Sequence, residues 1–319
     1  MDDGRRTRDE GAGETHASPL TTRPSFLILG ARGQLGRALV RAGGAAAVGL
    51  DRAALDVTDR RAVETAVGAF ASAGGGAVVN AAAYTAVDRA ESEPDAARAV
   101  NHHAAGVVAH ACASAGLPLV HVSTDYVFDG TATCAYRPGD APSPLGVYGR
   151  TKADGEGTVR AHAPRHAIVR TAWVLSHEGH NFARTIHRLA GERDRLAVVA
   201  DQHGHPTPAD DLAGALLAVA AGLVAGAPAG TYHLAGAPLA SWHDVAVAVV
   251  DAARRLGPVR ASAVDPVPTS AYPTAARRPP RVELDMSATE AAFGVAPPDW
   301  RAGLARIVAA LGPVGSGGA

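Results

Sequence analysis

Cysteine, excess charge and long apolar runs are all scarce in this chain of 319 residues. Cys112 and Cys134 are the only cysteines, too few for a disulfide framework or a thiolate zinc site, and they favour a reducing compartment. The net charge of −1 leaves no basic footprint for nucleic acid or an anionic membrane. No apolar stretch reaches transmembrane length, so we expect a cytoplasmic protein.

Lysine is scarcer still, because the chain has one lysine against 29 arginines. This residue, Lys152, lies four positions after Tyr148, and on a helix two such side chains share a face. A compact ammonium with an adjustable pKa is something arginine does not offer. A close cation lowers a tyrosine pKa of about 10 by about 1–3 units. The pair indicates proton transfer, with an ordinary solvated helix pair as the alternative.

Short apolar runs alternate with longer helical patterns in the first half of the chain, which predicts an α/β fold with a Rossmann-type doubly wound parallel sheet. The predicted strands are residues 26–29, 47–50, 77–79, 119–122 and 167–169. The predicted helices are residues 35–42, 60–71, 95–115, 148–161, 181–190, 208–223, 241–256 and 300–311.

The sequence also predicts a smaller, mixed α/β substrate-binding domain beside the dinucleotide-binding domain. Its proline-punctuated stretch 257–280 is expected to wind over the surface and line a cleft. The predicted division is a disordered arm at 1–24, a dinucleotide-binding domain at 25–172 and about 209–250, a substrate-binding domain at about 173–208 and 251–311, and a flexible tail at 312–319.

A glycine-rich loop follows the first predicted strand and opens a helix, which is the context that a dinucleotide fingerprint requires. Its glycines are Gly30, Gly33 and Gly36. They allow a tight turn and a close approach to a pyrophosphate, while the free N–H groups of the helix start supply partial positive charge. A purely structural glycine turn is the alternative.

Residues after the second and third strands are placed to contact the rest of such a cofactor. Asp51 could accept hydrogen bonds from an adenosine ribose, whereas Arg52 and Arg32 could receive a 2′-phosphate, so NADPH and NADH both stay open. A solvated surface pair is the alternative for Asp51 and Arg52. Further candidates on the adenine and nicotinamide-ribose sides are Asp56, Val57, Ala81, Ala82 and Ala83.

Thr124 follows the fourth predicted strand, and ligands of open α/β sheets bind beyond the carboxyl ends of strands. Its hydroxyl could hold a substrate carbonyl oxygen while Tyr148 transfers a proton to it. Lys152 could stabilise the phenolate form of Tyr148 or bind the ribose hydroxyls of the cofactor. We therefore predict Thr124, Tyr148 and Lys152 as the catalytic residues.

The glycine loop, Thr124 and the Tyr148–Lys152 pair occur in the order and spacing of the extended short-chain dehydrogenase/reductase superfamily, which the chain resembles. Six segments are more closely similar to the dTDP-4-dehydrorhamnose reductase family: residues 79–88, 123–130, 148–152, 170–174, 201–207 and 271–279. The resemblance runs from about residue 25 to residue 311. It implies reduction of the C4 ketone of dTDP-4-dehydro-β-L-rhamnose to dTDP-β-L-rhamnose, with hydride from the nicotinamide.

The same resemblance implies roles for individual residues. Thr124 and Asp125 would meet the sugar, Trp173 would stack near the deoxysugar or the nucleotide, and Arg277 and Arg278 would bind the pyrophosphate. Core packing for Trp173 and plain surface positions for the arginines are the alternatives. The residues implied for the cofactor are Gly33, Gln34, Leu35, Asp56, Val57, Ala83, Tyr84 and Thr85.

Some members of this family are described as magnesium-linked dimers that use glutamates, but Ala38 stands at one of those positions here, so magnesium is doubtful. The pairs His102–His103 and His203–His205 lack accompanying carboxylates, and we assign no metal. A monomer and a homodimer are both open.

Two other functions remain as alternatives. A nucleotide-sugar epimerase would use the same catalytic pair, and a regulatory subunit could keep the fold without turnover. A dehydratase of this superfamily usually carries Thr-Asp-Glu where this chain has Thr124, Asp125 and Tyr126, which counts against dehydration.

Overall fold

The computed structural model describes Met1 and residues 26–315. Apart from Met1, the predicted disordered arm lies outside the described residues. Residues 316–319 of the predicted tail lie outside them as well.

Twelve strands are present in the described residues: β1 Phe26–Leu29, β2 Ala47–Leu50, β3 Ala77–Asn80, β4 Leu119–Thr124, β5 His166–Thr171, β6 Val174–Leu175, β7 Arg195–Val199, β8 His203–Gly204, β9 Thr207–Pro208, β10 Gly230–His233, β11 Ala240–Ser241 and β12 Ala263–Val267. The α-helices there are α1 Gln34–Gly43, α2 Arg60–Ser72, α3 Val87–Ala90, α4 Pro94–Arg98, α5 Ala104–Ser114, α6 Val147–His162, α7 Phe182–Glu192, α8 Ala209–Val224, α9 Trp242–Arg254, α10 Ser287–Phe293 and α11 Trp300–Leu311.

Six parallel strands form the central sheet in the order β10-β5-β4-β3-β1-β2. Helices α1 and α8 pack on one face, and α2, α5 and α6 pack on the other. The predicted doubly wound parallel sheet is therefore confirmed. Successive strands are added outward in one direction from β1 to β2 and in the other direction from β3 to β10, so the strand order reverses between β1 and β3. Open sheets bind ligands outside the carboxyl ends of strands at such a switch point.

The second half of the chain builds a separate core around α7, α9 and α11, where Trp300 is fully buried. Strands β7 and β12 pair in parallel beside it. These strands and β10 were not predicted from the sequence: β12 and β10 are interrupted by polar residues, proline or glycine, and β7 has only a short apolar run at residues 196–199. The core has both helices and strands, in keeping with a smaller α/β part.

The division into two domains stays a prediction, and we propose one revision of it. The buried side chains of α9 belong to the second core, so the segment that starts at residue 209 should end near residue 235 rather than near 250. Helix α10 packs against the first core, although it lies within the segment 251–311 that was assigned to substrate binding.

The predicted helix at 95–115 is present with one irregularity, a π-turn at Ala99–His103 between α4 and α5. Asn101 in this turn is buried and donates from Nδ2 to the carbonyl of Tyr84 at 3.1 Å and to the hydroxyl of Thr151 at 3.1 Å. The turn therefore connects the loop after β3 to α6.

None of the helices within residues 26–315 combines the length and the apolar character that crossing a bilayer would require.

Candidate active site

Two adjoining cavities of about 570 and 550 Å³ lie at the carboxyl ends of the central strands, and they share Arg32, Gly33, Ala81 and Ala83. The first, the outer cavity, is lined by these predicted residues: Gly30, Gly33, Arg52, Asp56, Val57, Ala81, Ala82, Ala83 and Tyr84. The second, the inner cavity, is lined by these: Gly33, Gln34, Leu35, Gly36, Ala81, Ala83, Thr85, Thr124, Asp125, Tyr148, Lys152 and Trp173. The fold thus brings most of the predicted site together.

The glycine loop has the shape that a bound dinucleotide needs. Gly30 has a φ of +82°, and a Cβ on it would lie 2.7 Å from the backbone nitrogen of Ala82. At Gly36 a Cβ would lie 2.1 Å from the carbonyl oxygen of Gly30. No side chain caps α1, so its first N–H groups remain available to an anion. These residues fit a dinucleotide cofactor.

We expect Gly36→Ala to raise the cofactor Kd about 10–100-fold. Overpacking costs about 1–3 kcal/mol, and about 1.4 kcal/mol corresponds to a factor of ten. The added methyl group would push α1 away from the loop that it must contact. Fluorescence titration with the reduced nicotinamide cofactor measures this. The control is Gly68→Ala on α2, where a Cβ meets nothing within 4 Å. An unchanged Kd in the Gly36 variant would contradict the assignment of this loop.

Asp51 is engaged by protein groups and is not among the residues that line the two cavities. Its carboxylate accepts from the backbone N–H groups of Ala53 and Ala54 at 2.9 and 3.0 Å, and Arg32 Nε lies 2.7 Å away. The N–H of Ala54 holds the pKa of Asp51 below its usual range, and Arg32 adds to this effect. Arg52 is exposed and lines the outer cavity.

Helix α6 carries Tyr148 and Lys152 and packs closely on the loop after β4. A Cβ on Gly149 would lie 2.1 Å from the carbonyl oxygen of Tyr126, so this contact requires glycine. The backbone N–H of Val147, at the start of the helix, donates to Glu91 Oε1 at 2.7 Å. These contacts direct the first turn of α6 into the inner cavity.

Thr124 and Tyr148 face one another in the inner cavity, where burial raises the pKa of Tyr148 to about 12 and a hydrogen bond with Thr124 opposes the rise. The expectation that Lys152 shifts this phenol towards the phenolate is wrong for this structure, because burial dominates. The phenol therefore stays protonated, which is the form that a proton donor needs. The ring of Tyr126 lies edge-on to that of Tyr148, with 5.7 Å between centroids.

Lys152 is 1% exposed, and its Nζ donates to the carbonyl of Val122 at 2.7 Å. Burial lowers the pKa of Lys152 to about 8, and the charge of Glu156 opposes this. His121 on β4 lies behind the amine, with its Nε2 3.4 Å from Nζ. The lysine is thus a buried amine whose pKa lies near neutrality.

Asp125 is 2% exposed, and it accepts a hydrogen bond from the hydroxyl of Thr124 at 3.1 Å. Burial raises the pKa of Asp125 to about 7, while the contact with Thr124 opposes the rise. Asp125 and Thr124 both line the inner cavity, where they were predicted to meet the sugar.

Trp173 lines the inner cavity with a φ of +41°, a rare value for a residue with a side chain. Its ring stacks on that of Trp242, with centroids 3.6 Å apart and an interplanar angle of 5°. Trp242 starts α9 and also lines the inner cavity. Sequence reasoning missed Trp242, because no local motif links the start of that helix to the site.

The two predicted pyrophosphate ligands do not line either cavity. Arg278 donates to Asp88 through Nη2 at 2.7 Å and through Nη1 at 3.0 Å, because the loop that carries it packs on α3. Arg277 is exposed beside it. In this structure Arg278 joins the second half of the chain to the first.

No group of three or more histidine, cysteine, aspartate or glutamate side chains within residues 26–315 is arranged to hold a metal ion. His102 and His103 stack on each other with ring centroids 4.7 Å apart. Cys112 is buried, which raises the pKa of its thiol to about 12, and Cys134 is exposed.

Comparison with known proteins agrees with this geometry. The family model described as the RmlD substrate binding domain matches residues 25–312. A dTDP-4-dehydrorhamnose reductase from Aggregatibacter actinomycetemcomitans is 39% identical over 289 residues, which cover 88% of this chain and 97% of that protein.

Solved structures of the same name are also similar. The reductase from Clostridium acetobutylicum superposes with a TM-score of 0.82 at 34% identity, covering 90% of this chain and 99% of that one. The reductase from Bacillus anthracis, solved in complex with NADP, gives 0.80 at 33% identity, covering 89% and 98%. The chain therefore belongs to the dTDP-4-dehydrorhamnose reductase family, within the extended short-chain dehydrogenase/reductases.

Proposed function

We propose that this protein reduces the C4 ketone of dTDP-4-dehydro-β-L-rhamnose to a hydroxyl, giving dTDP-β-L-rhamnose, with NADPH as the reductant. The observation that carries the proposal is the meeting of Thr124, Tyr148 and Lys152 in a cavity that adjoins a dinucleotide-shaped one. Relatives named dTDP-4-dehydrorhamnose reductase match this chain over nearly their whole length, which supports the assignment of the sugar.

The nicotinamide cofactor, when bound, supplies the hydride. Thr124 lies at the end of β4, where its hydroxyl can hold the ketone oxygen in place. Tyr148 has a raised pKa and stays protonated at neutral pH, so it can donate a proton to the oxygen as negative charge develops there. Trp173 and Asp125 line the same cavity, and we propose that they contact the sugar ring.

The cofactor choice rests on the rim of the outer cavity. Asp51 is already bound by two backbone N–H groups and by Arg32, whereas the exposed Arg52 lines the cavity near Asp56, whose pKa its charge lowers. A guanidinium is well suited to a 2′-phosphate. The relative from Bacillus anthracis was solved with NADP, which supports NADPH here, with NADH as a weaker alternative.

Arg52→Ala is expected to raise the KM for NADPH about tenfold, because a charge-assisted hydrogen bond contributes roughly 1.5 kcal/mol at an exposed site. The KM for NADH should change little. Initial rates with each cofactor measure the difference. Arg61→Ala is the matched control, because Arg61 is exposed on α2 and lines neither cavity. An equal rise in the KM for both cofactors would show that Arg52 does not bind the 2′-phosphate.

The test of the activity is incubation of the purified protein with NADPH and the 4-keto sugar nucleotide while the absorbance of the reduced nicotinamide is followed. Substrate-dependent oxidation of NADPH with formation of dTDP-β-L-rhamnose is expected. Conversion of a sugar nucleotide without net oxidation would indicate an epimerase, and no conversion would favour a non-catalytic subunit. A cytoplasmic location and a monomeric or homodimeric state remain predictions from the sequence.

A further inference from the structure

A buried histidine lies directly behind the proposed catalytic lysine. His121 is 1% exposed, and its two ring nitrogens face two different side chains. Nδ1 lies 3.3 Å from Asn80 Nδ2, and Nε2 lies 3.4 Å from Lys152 Nζ. Asn80 ends β3, His121 lies within β4, and Lys152 is on α6. We call these three residues the Asn80–His121–Lys152 chain.

The position of the protons in this chain follows from its first member. Asn80 Oδ1 accepts the backbone N–H of Ala82 at 3.1 Å, so the amide oxygen is committed and the NH₂ group faces the histidine. An amide nitrogen only donates, so Nδ1 of His121 must accept. In a neutral imidazole the proton then lies on the other nitrogen, Nε2.

The Nε2–H of His121 therefore points at the amine of Lys152. An ammonium has three donors and no acceptor, so it cannot accept a hydrogen bond from this N–H. The lone pair of a neutral amine can accept one. One of the amine hydrogens is already given to the carbonyl of Val122 at 2.7 Å. The geometry is complementary to the neutral amine of Lys152.

We propose that His121 is a positioning residue of this site: Asn80 holds its ring in the Nε2–H tautomer, and that N–H stabilises the neutral amine of Lys152. Its catalytic meaning rests on the proposed function, but its geometry does not. The established pattern of this enzyme class does not require it, since the pattern consists of Thr124, Tyr148 and Lys152.

The charged groups around the Asn80–His121–Lys152 chain are compatible with this arrangement. Burial lowers the pKa of His121 well below its ordinary value, and the charges of Lys152 and of His166 on β5 lower it further, so the ring stays neutral. Glu156, one turn along α6, favours the ammonium form of Lys152. Its carboxylate is already bound by Arg170 and by the hydroxyl of Ser123, and His121 acts in the opposite direction.

In the reaction, this stabilisation would act after the chemical step. Tyr148 gives its proton to the ketone oxygen, and the phenolate that results takes a proton from the ammonium of Lys152. The neutral amine left behind accepts the N–H of His121, and solvent then returns one proton to the amine. The lysine therefore needs a partner that tolerates its neutral form, and an arginine could not replace it.

The test uses the fact that the chain contains one lysine. Protein labelled with ¹³Cε-lysine, purified with no lysine in its tag, gives one lysine signal, and its titration reports the pKa of Lys152 directly. We expect this pKa to rise by about half to one unit in His121→Phe and in His121→Leu, because neither side chain can donate the hydrogen bond to the neutral amine. The control is His187→Phe, a buried histidine on α7 in the second core, which should leave the pKa unchanged.

An unchanged or lower pKa of Lys152 in the His121 variants would overturn the proposal, since a lower value means that the ring accepts from the ammonium. A second measurement needs only the folded wild-type protein. Long-range ¹H–¹⁵N correlation of the histidine rings, with His121 identified by its contact with the labelled lysine, should show the Nε2–H tautomer. The Nδ1–H tautomer would also overturn it. Neither spectrum depends on turnover, so a failed reductase assay leaves this test intact.

Discussion

Replacing Tyr148 by phenylalanine is expected to lower kcat by about 10²–10⁴-fold, the usual loss when a general acid is removed. The phenol hydrogen-bonds with Thr124 and its pKa is raised to about 12, so it keeps its proton at neutral pH, whereas Asp125, which also contacts Thr124, has a pKa of about 7. The Tyr148 hydroxyl takes no part in the glycine loop, so the cofactor Kd should stay within about twofold. Steady-state rates and a cofactor titration measure the two quantities separately.

The matched control is Tyr126→Phe. Tyr126 also lines the inner cavity, and its ring contacts that of Tyr148, so the variant removes a hydroxyl from the same cavity. Its kcat should fall by less than about tenfold, because it is not placed as the proton donor. If both variants lost turnover equally, the effect would come from packing of the two rings. Full turnover in the Tyr148 variant would remove this residue from the mechanism.

The second large effect is expected in stability, from the buried ion pair beneath the site. Arg170 on β5 and Glu156 on α6 are 1% and 0% exposed and meet through two hydrogen bonds of 2.9 and 2.7 Å. Glu156→Gln leaves a buried guanidinium without its counter-charge, which typically costs about 3–5 kcal/mol. We expect the free energy of unfolding in urea to fall by about this amount. The control is Glu192→Gln, where an exposed pair with Arg188 is broken and little change is expected.

The same pair predicts a pH dependence. Burial raises the pKa of Glu156, but hydrogen bonds and the charge of Arg170 outweigh burial, so the pKa lies below its ordinary value of 4.5. The stability that Glu156 contributes is thus present above pH 4.5 and is lost as the pH falls through the folded-state value. Unfolding measured down the acid range should show this loss in the wild type and not in Glu156→Gln. A parallel loss in both proteins would place the acid sensitivity elsewhere.

Periodicity was sufficient to predict the first half of the fold. Strands such as β1 and β3 are fully buried, so every residue in them is apolar or nearly so, and the run is visible in the sequence. Strand β10, with the sequence Gly-Thr-Tyr-His, lies at the edge of the sheet and shows no such run. Strand β7 alternates between buried and exposed positions and pairs with a strand more than sixty residues later, a contact that no local pattern encodes.

The candidate site was predictable where it depends on local motifs. The glycine loop and the Tyr148–Lys152 pair are each contained in one short segment, and the resemblance placed Thr124 with them. The partners of Arg278 and Lys152 could not be predicted in this way, because they come from strands and helices that are distant in the sequence. The ion pair of Arg278 with Asp88 and the contact of Lys152 with His121 depend on how the layers pack. One signal was available for His121, a lone histidine within the otherwise apolar run of residues 119–122.

The stacked rings of Trp173 and Trp242 also give the cleft an optical signature. The chain has three tryptophans, and the third, Trp300, is fully buried in the second core. The electronic transitions of two indoles in face-to-face contact are coupled. We therefore expect this pair to dominate the tryptophan signal in the near-ultraviolet circular dichroism spectrum. A sugar nucleotide that enters beside Trp173 should alter that band while leaving the emission of Trp300 unchanged, which lets occupancy of the cleft be followed without turnover.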